Sequence, residues 1–129
     1  SFILSGGKKT MKVILIAPHR RSRDLQKYLR EEVHHRVTTV GTWDGAKKYL
    51  GHGEDIIIFT PEVASDLVRE FTFLKDLTNA KTLYITDWSV DRLIWDLLMV
   101  GLDGYCFQEP TDIDRAMEAL AKQPDDSFS

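Results

Sequence analysis

Threonine hydroxyls end two predicted strands of this chain, at the positions where an open α/β sheet carries its chemistry. The apolar runs Asp55–Thr60 (DIIIFT) and Lys81–Thr86 (KTLYIT) finish in Thr60 and Thr86. Ligands of such sheets bind at the carboxyl ends of the strands, so these terminal residues bear directly on function. A threonine hydroxyl becomes a nucleophile only when a base takes its proton, and no base for Thr60 is evident. The strand ends therefore favour a binding module over an enzyme.

Basic residues cluster where the first helix is predicted to begin. His19 is followed by Arg20, Arg21 and Arg23. Guanidinium groups and the amides of a helix N-terminus bind anions together, so Arg20 and Arg21 form a candidate anion site. The alternative is a solvated helix start. Because no glycine-rich loop accompanies the cluster, the solvated start is the favoured interpretation.

The other ionisable residues give weaker signals for a metal site. Glu62, Asp87 and Glu109 lie at predicted strand ends, but charges that flank helices need no metal to explain them. His34 and His35 are adjacent in a predicted turn. Neighbouring residues rarely bind one ion, so both histidines are expected to be exposed. Neither a metal nor another cofactor is predicted.

The segment Val90–Leu102 (VDRLIWDLLMVGL) is apolar around nearly its whole helical circumference. One face suffices for a core stripe, which is assigned to Val90, Ile94, Leu97 and Leu98. The rest of the helix adds Leu93, Trp95, Met99, Val100 and Leu102. Such a helix is either deeply buried or covered by a partner, and an interface is favoured over burial alone. Trp43, Trp88 and Trp95 would be good anchors if exposed, because aromatic residues dominate interface hot spots.

Five short apolar strands alternate with amphipathic helices, which predicts an α/β fold with a parallel sheet covered on both faces. The strands are predicted at Lys12–Ala17, Arg36–Val40, Asp55–Thr60, Lys81–Thr86 and Gly104–Phe107.

The helices are predicted from their caps and apolar stripes. Ser22 or Asp24 caps the first helix, and Thr42–Leu50 forms the second, with Ala46, Tyr49 and Leu50 inward. The third begins at Pro61 and buries Val63, Leu67, Val68, Phe71 and Leu74. Ser89 caps a fourth helix that runs to Gly101, and Thr111 with Asp114 opens the fifth, with Ile113, Met117 and Leu120 inward.

The composition is that of one globular domain, with 129 residues, 43% hydrophobic and 29% charged. A net charge of −3 gives no general attraction to nucleic acid or to anionic membrane, and no apolar run approaches the ~20 residues of a membrane span. The single cysteine, Cys106, is predicted to be a buried small hydrophobe, which favours a reducing, cytoplasmic location. Residues 1–10 are expected to be a tag or a disordered arm, 11–123 the domain, and 124–129 a polar tail or the start of a linker.

Across residues 11–122 the chain resembles the receiver domain of two-component response regulators. Thr42–Leu50 looks like the family's second helix, and Gly101–Pro110 (GLDGYCFQEP) is similar to its fifth strand and the turn that follows. Thr86 stands where receivers keep a Ser or Thr that hydrogen-bonds the phosphoryl group. Tyr105 lies near the aromatic residue whose rotation reports phosphorylation in that family. The resemblance implies a flavodoxin-like, receiver-like fold and a role in signalling.

The residues that phosphorylation requires in receivers are missing. By the resemblance, Ala17 and Pro18 replace the acidic pair that holds Mg²⁺, Thr60 replaces the acceptor aspartate, and Glu109 replaces the phosphoryl-binding lysine. Magnesium needs carboxylate oxygens, and a transferred phosphoryl group needs positive charge nearby. Together with Thr86, these residues would form a vestigial phosphorylation pocket, so the chain resembles a degenerate pseudo-receiver.

The sequence thus predicts a signalling module with no catalytic residues, which acts by protein–protein contact and not by aspartate phosphorylation. The partner, another protein or a second copy of the chain, would bind the Val90–Gly101 helix and strand five through Leu93, Trp95, Met99 and Tyr105. Neither membrane nor nucleic acid is expected to bind this domain directly. The alternative is a sensor of a small ligand or anion, which would use the altered pocket at the strand ends.

Overall fold

A parallel sheet of five strands in the order β2-β1-β3-β4-β5 forms the centre of the molecule. The computed structural model describes residues 10–86 and 92–123. The strands are β1 Lys12–Ile16, β2 Arg36–Val40, β3 Ile56–Phe59, β4 Lys81–Thr86 and β5 Gly104–Phe107. Because β1, β3 and β4 are covered on both faces, their apolar runs are almost fully buried. The predicted flavodoxin-like α/β fold and all five strands are confirmed.

Helices pack on both faces of this sheet. The helices are α1 His19–Lys27, continued by a π-helical turn Tyr28–Glu32, α2 Trp43–Ala46, continued by a 3₁₀ turn Lys47–Tyr49, α3 Leu67–Lys75, α4 Arg92–Met99 and α5 Pro110–Ala121. Helices α1 and α5 share one apolar core with one face of the sheet, and α2, α3 and α4 share a second core with the other face. In the second core the ring of Phe59 lies 5.5 Å from those of Trp43 and Phe71.

The start of α1 differs from the prediction, which was wrong about its caps. The N-cap is Pro18, and its carbonyl accepts hydrogen bonds from the amides of Arg21 and Ser22 at 2.9 and 3.0 Å. Ser22 lies inside the helix, buried, and its hydroxyl donates to the carbonyl of His19. Its side chain therefore bonds to the backbone within the helix instead of capping it, and the helix begins several residues earlier than predicted.

The third helix is interrupted, whereas one continuous helix from Pro61 was predicted. A short 3₁₀ turn, Pro61–Val63, is followed by extended backbone at Ala64. Helix α3 then starts anew because the Asp66 carboxylate accepts a hydrogen bond from the Arg69 amide. In the second helix the inward prediction for Tyr49 was also wrong, since its side chain is 38% exposed.

His35 is buried, which contradicts the prediction that both turn histidines are exposed. Its Nδ1 accepts a hydrogen bond from the Met11 amide at 3.1 Å, and its Nε2 lies 3.8 Å from Oδ1 of Asp114. Asp114 lies inside α5 and does not open it, which contradicts the prediction for that helix start. That helix begins at Pro110, after an N-cap at Glu109 with no side-chain hydrogen bond. The contact between His35 and Asp114 joins the start of β2 to α5 across a large sequence separation.

The described part of α4 begins at Arg92, so the predicted cap Ser89, together with Asp87, Trp88 and Val90, lies outside the described residues. Helix α4 ends at Met99, and Gly101 follows with a φ of 107°, a backbone conformation that glycine adopts without steric cost. None of the helices within residues 10–86 and 92–123 is long and apolar enough to cross a membrane.

Candidate functional site

A cavity of about 230 Å³ opens at the carboxyl ends of the strands, between α1 and α5. Its lining consists of Ala17, Arg20, Arg21, Asp24, Leu25, Thr60, Ile85, Gln108, Pro110 and Ile113. The Thr60 amide donates to the carbonyl of Ile16 at 3.2 Å, which fixes the end of β3 beside the end of β1. This strand-end cavity is where the fold places ligands in open α/β sheets.

The hydroxyl of Thr60 is an unusual feature of this cavity. The residue is 3% exposed, and its Oγ1 is buried without a hydrogen-bond partner. Within β3, Ile56 and Ile58 face the α1–α5 side whereas Ile57 and Phe59 face the other side. By that alternation the side chain of Thr60 faces α1 and α5, as its place in the cavity lining requires. A buried polar atom without a partner is rare and calls for an explanation.

A salt bridge involves Arg21, one of the residues that line the cavity. Nη1 of Arg21 lies 3.2 Å from Oε2 of Glu62, with the two side chains 16% and 37% exposed. The pair links α1 to the 3₁₀ turn after β3. Arg20, the next residue on α1, is exposed at the rim of the cavity. The positive charge at this edge of the sheet therefore comes from helix α1.

The structure brings together some of the residues predicted for the pocket and separates others. Ala17 and Thr60 line the cavity, but Thr86 does not, and its neighbour Ile85 lines it instead. Glu109 is exposed as the N-cap of α5. The side chain that reaches the cavity after β5 is that of Gln108.

Three residues of this region were missed at the sequence level as members of a site. Gln108, which directly follows the predicted end of β5 at Phe107, lines the cavity, whereas the resemblance indicated Glu109, one residue later. Asp24 lines it because α1 starts early. Glu62 was considered only as a member of an acidic cluster, whereas it pairs with Arg21. The strand boundary was the one sequence signal that pointed to Gln108.

Metal-binding side chains do not gather here. Within residues 10–86 and 92–123 no three His, Cys, Asp or Glu side chains lie close enough to hold a metal ion. Ala17 and Pro18 occupy the end of β1 and offer no side-chain oxygen. Cys106, on β5, is half-buried, and burial, with a smaller effect of Asp112, raises the pKa of its thiol to about 12. The thiol is therefore protonated and unreactive at neutral pH.

A second candidate site is an apolar surface on the α4 side of the sheet edge. Large apolar side chains that are 37% to 85% exposed make up this α4–β5 surface, namely Trp95, Leu98, Met99, Tyr105 and Phe107. Tyr105 is paired in register with Tyr84, which faces the core under α2, α3 and α4, so Tyr105 faces the α4 side.

The remaining residues predicted for that surface behave differently. Leu93 is half-buried and packs against the core, and Leu98, predicted as core, is 37% exposed. Leu102, predicted as additional surface, is buried. Trp43 is 3% exposed and packs edge-on against Phe59, so it cannot anchor a partner.

Comparison with known proteins identifies the fold but does not assign the chain to a family. No protein-family profile and no curated protein sequence matches the chain. Similar solved structures include the receiver domain of a sensor histidine kinase from Pseudomonas aeruginosa, which holds a magnesium ion in its active-site cleft. At 12% identity and a TM-score of 0.70, it covers 89% of this chain and 100% of its own.

Two further similar structures are response regulators. A two-component response regulator from Clostridium difficile is 18% identical with a TM-score of 0.75, covering 89% of this chain and 98% of its own. A response regulator from Thermotoga maritima is 12% identical with a TM-score of 0.76, covering 89% and 100%. At these identities the similarity establishes that the chain has the fold of these receiver domains.

Proposed function

We propose that the chain is a non-catalytic, receiver-like signalling module that acts by binding another protein or a second copy of itself, in signal transduction or transcription. The observation that carries the proposal is the exposed α4–β5 surface. The receiver fold supplies the signalling context, since the similar structures include response regulators. A single cysteine and a net charge of −3 are consistent with a cytoplasmic module that binds neither membrane nor nucleic acid directly.

Helix α4 presents apolar side chains on two opposite sides. Ile94 and Leu97 are 6% and 0% exposed and belong to the core, so they suffice to dock the helix on the sheet. Trp95 and Met99 are 71% and 85% exposed. They add nothing to the core, and aromatic residues and methionine are enriched at protein interfaces. Contiguous exposed apolar patches on soluble domains usually mark interaction sites.

Independence from aspartate phosphorylation rests on the strand-end cavity. An acyl phosphate needs a carboxylate acceptor and a metal site, and the residue at the end of β3 is Thr60, while Ala17 ends β1. The guanidinium of Arg21, which lines the cavity, pairs with Glu62. These features support a module whose binding surface is not gated by phosphoryl transfer.

Light scattering and analytical ultracentrifugation of matched variants test the proposal. Trp95→Glu places a charge in the α4–β5 surface. Phe73→Glu is the control, since Phe73 is an aromatic residue of α3 with 52% exposure, outside that surface. We expect Trp95→Glu to weaken self-association, or capture of a partner identified with the wild-type protein, by about thirtyfold or more, as for an interface anchor. Phe73→Glu should leave both unchanged.

The opposite pattern would refute the proposal. If the wild-type chain stays monomeric at high concentration and Trp95→Glu binds each identified partner as the wild type does, the surface is not an interface. Both variants change exposed residues, so both should fold. Circular dichroism confirms this before binding is measured.

A further inference from the structure

We propose that the strand-end cavity binds a small oxyanion, a phosphate or carboxylate group, without forming a covalent bond. The anion would lie at the N-terminus of α1, between Arg20, Arg21 and the hydroxyl of Thr60. This proposal goes beyond the protein-binding function and is independent of it, because the cavity does not include the α4–β5 surface.

The buried hydroxyl of Thr60 is the observation that points to a ligand. Its Oγ1 has no partner, yet the residue lines a cavity large enough for several water-sized groups. Leaving a polar atom unpaired in the protein interior is costly, and a ligand oxygen that accepts its hydrogen bond removes that cost. A ligand with an acceptor oxygen is therefore the complementary chemistry.

Two helix N-termini favour a negative charge at the same place. Helix α1 spans nine residues and its N-cap, Pro18, has no side-chain oxygen to satisfy the first amides. Helix α5 also begins here, with Pro110 in the cavity lining and no side-chain cap at Glu109. The unpaired amides and the dipole of a helix N-terminus attract anions and repel cations.

Arginine side chains supply the remaining donors. Arg20 is exposed at the rim. Arg21 is paired with Glu62, but a guanidinium carries five N–H donors and can serve a carboxylate and a second anion together. Glu62, which pairs with Arg21, and Asp24, which lines the cavity, carry negative charge that opposes binding. Glu62 should therefore act as a competitor of the oxyanion for Arg21.

Titration of the full chain with inorganic phosphate and, separately, with acetate tests the inference. Binding is followed by calorimetry and by amide NMR shifts at constant ionic strength, with chloride as the reference anion. We expect saturable binding with shifts confined to the start of α1, the end of β3 and the start of α5. Tighter binding of one of the two anions shows whether the cavity prefers a phosphate or a carboxylate group.

Four variants should change the affinity for the anion in different directions. Thr60→Val keeps the shape of the side chain and should weaken binding about tenfold, as expected for one hydrogen bond to a charged group. Arg20→Gln should weaken it several-fold, and because Arg20 is exposed this variant should fold normally. Glu62→Gln should tighten binding several-fold, since it removes a competing charge. Arg23→Gln, on α1 outside the cavity, is the control and should change nothing.

Three results would overturn the inference. The first is the absence of saturable binding of either anion up to about 10 mM, a range that detects even weak millimolar affinity. The second is equal weakening by Arg20→Gln and Arg23→Gln, which would mean general attraction to the helix. The third is unchanged affinity in Thr60→Val. Failure of this inference can be distinguished from failure of the proposed function by light scattering of the same variants. None of them alters the α4–β5 surface, so their self-association should equal that of the wild type whether or not an anion binds.

Discussion

Truncation of two apolar residues of α4 should have opposite consequences, because one faces the core and the other faces outward. Leu97 is fully buried and Met99 is 85% exposed, although they are two positions apart on the same helix. Leu97→Ala should lower the free energy of unfolding by about 3 kcal/mol, within the range for buried leucine truncations. At roughly 4 °C per kcal/mol for a domain of this size, the melting temperature falls by about 12 °C.

Met99→Ala should change the free energy of unfolding of the monomer by no more than about 0.5 kcal/mol, as for exposed sites. If the chain self-associates, the change in the free energy of unfolding that Met99→Ala causes should depend on protein concentration, because dimerisation stabilises only the folded state. Dilute protein should then show no effect of Met99→Ala, and concentrated protein a clear loss. Leu97→Ala should cost the same at both concentrations.

Urea unfolding followed by circular dichroism at two protein concentrations measures both effects. A loss above about 1.5 kcal/mol for Met99→Ala in dilute protein would refute the reasoning, because an exposed side chain cannot contribute that much. A neutral Leu97→Ala would equally refute it, since α4 would then not be docked on the sheet through that side chain.

Three further predictions concern chemistry and pH. Treatment with acetyl phosphate and Mg²⁺ should leave the intact mass unchanged; a stoichiometric phosphoryl group, whether on Thr60 or on a nearby aspartate, would contradict this. Burial alone would raise the pKa of Glu54, but hydrogen bonds from Thr78, Gly51 and His52 outweigh it and lower that pKa. This carboxylate therefore stabilises the fold at neutral pH, and that stabilisation is lost as pH falls through the lowered pKa. Glu54→Gln should have a lower free energy of unfolding in urea than the wild type at pH 7, and the difference between the two proteins should shrink below about pH 4. Because the pKa of Cys106 is raised to about 12, iodoacetamide at pH 8 should alkylate it about a thousandfold more slowly than free cysteine, and equal rates would show an ionised thiol.

The strands were predictable because their signal is local. A central parallel strand is buried on both faces, so β3 and β4 read as continuous apolar runs whatever surrounds them. Helix starts were less predictable. Ser22 has a side chain that commonly caps helices, but its hydroxyl donates to the carbonyl of His19, and the extended backbone of Pro18 had already started the helix. Whether a hydroxyl caps a helix or bonds inside it depends on where the chain first turns.

The site was less accessible to sequence reasoning because it depends on contacts between distant segments. Such contacts also accompany burial outside the site, since the buried His35 lies beside Asp114, which is 79 positions later in the chain. No local pattern around His35 shows that contact. The cavity lining likewise depends on which face of the sheet each strand residue occupies. Ile85 and Thr86 are neighbours on β4 and face opposite sides, so Ile85 lines the cavity on the α1–α5 side and Thr86 does not.

Under the proposed function, the residues at the strand ends determine whether phosphorylation can control exposure of the α4–β5 surface. A module that is gated by phosphorylation can keep an apolar interface unavailable until a signal arrives, whereas a module without the acceptor chemistry has no such gate. Trp95 and Met99 would then be exposed from the moment of folding, and lasting exposure of apolar patches invites aggregation. A standing partner or a stable dimer removes that liability. Under the proposed function, Thr60 at the end of β3 and the apolar exterior of α4 are therefore compatible, because no acyl phosphate would form and binding at the α4–β5 surface would be continuous.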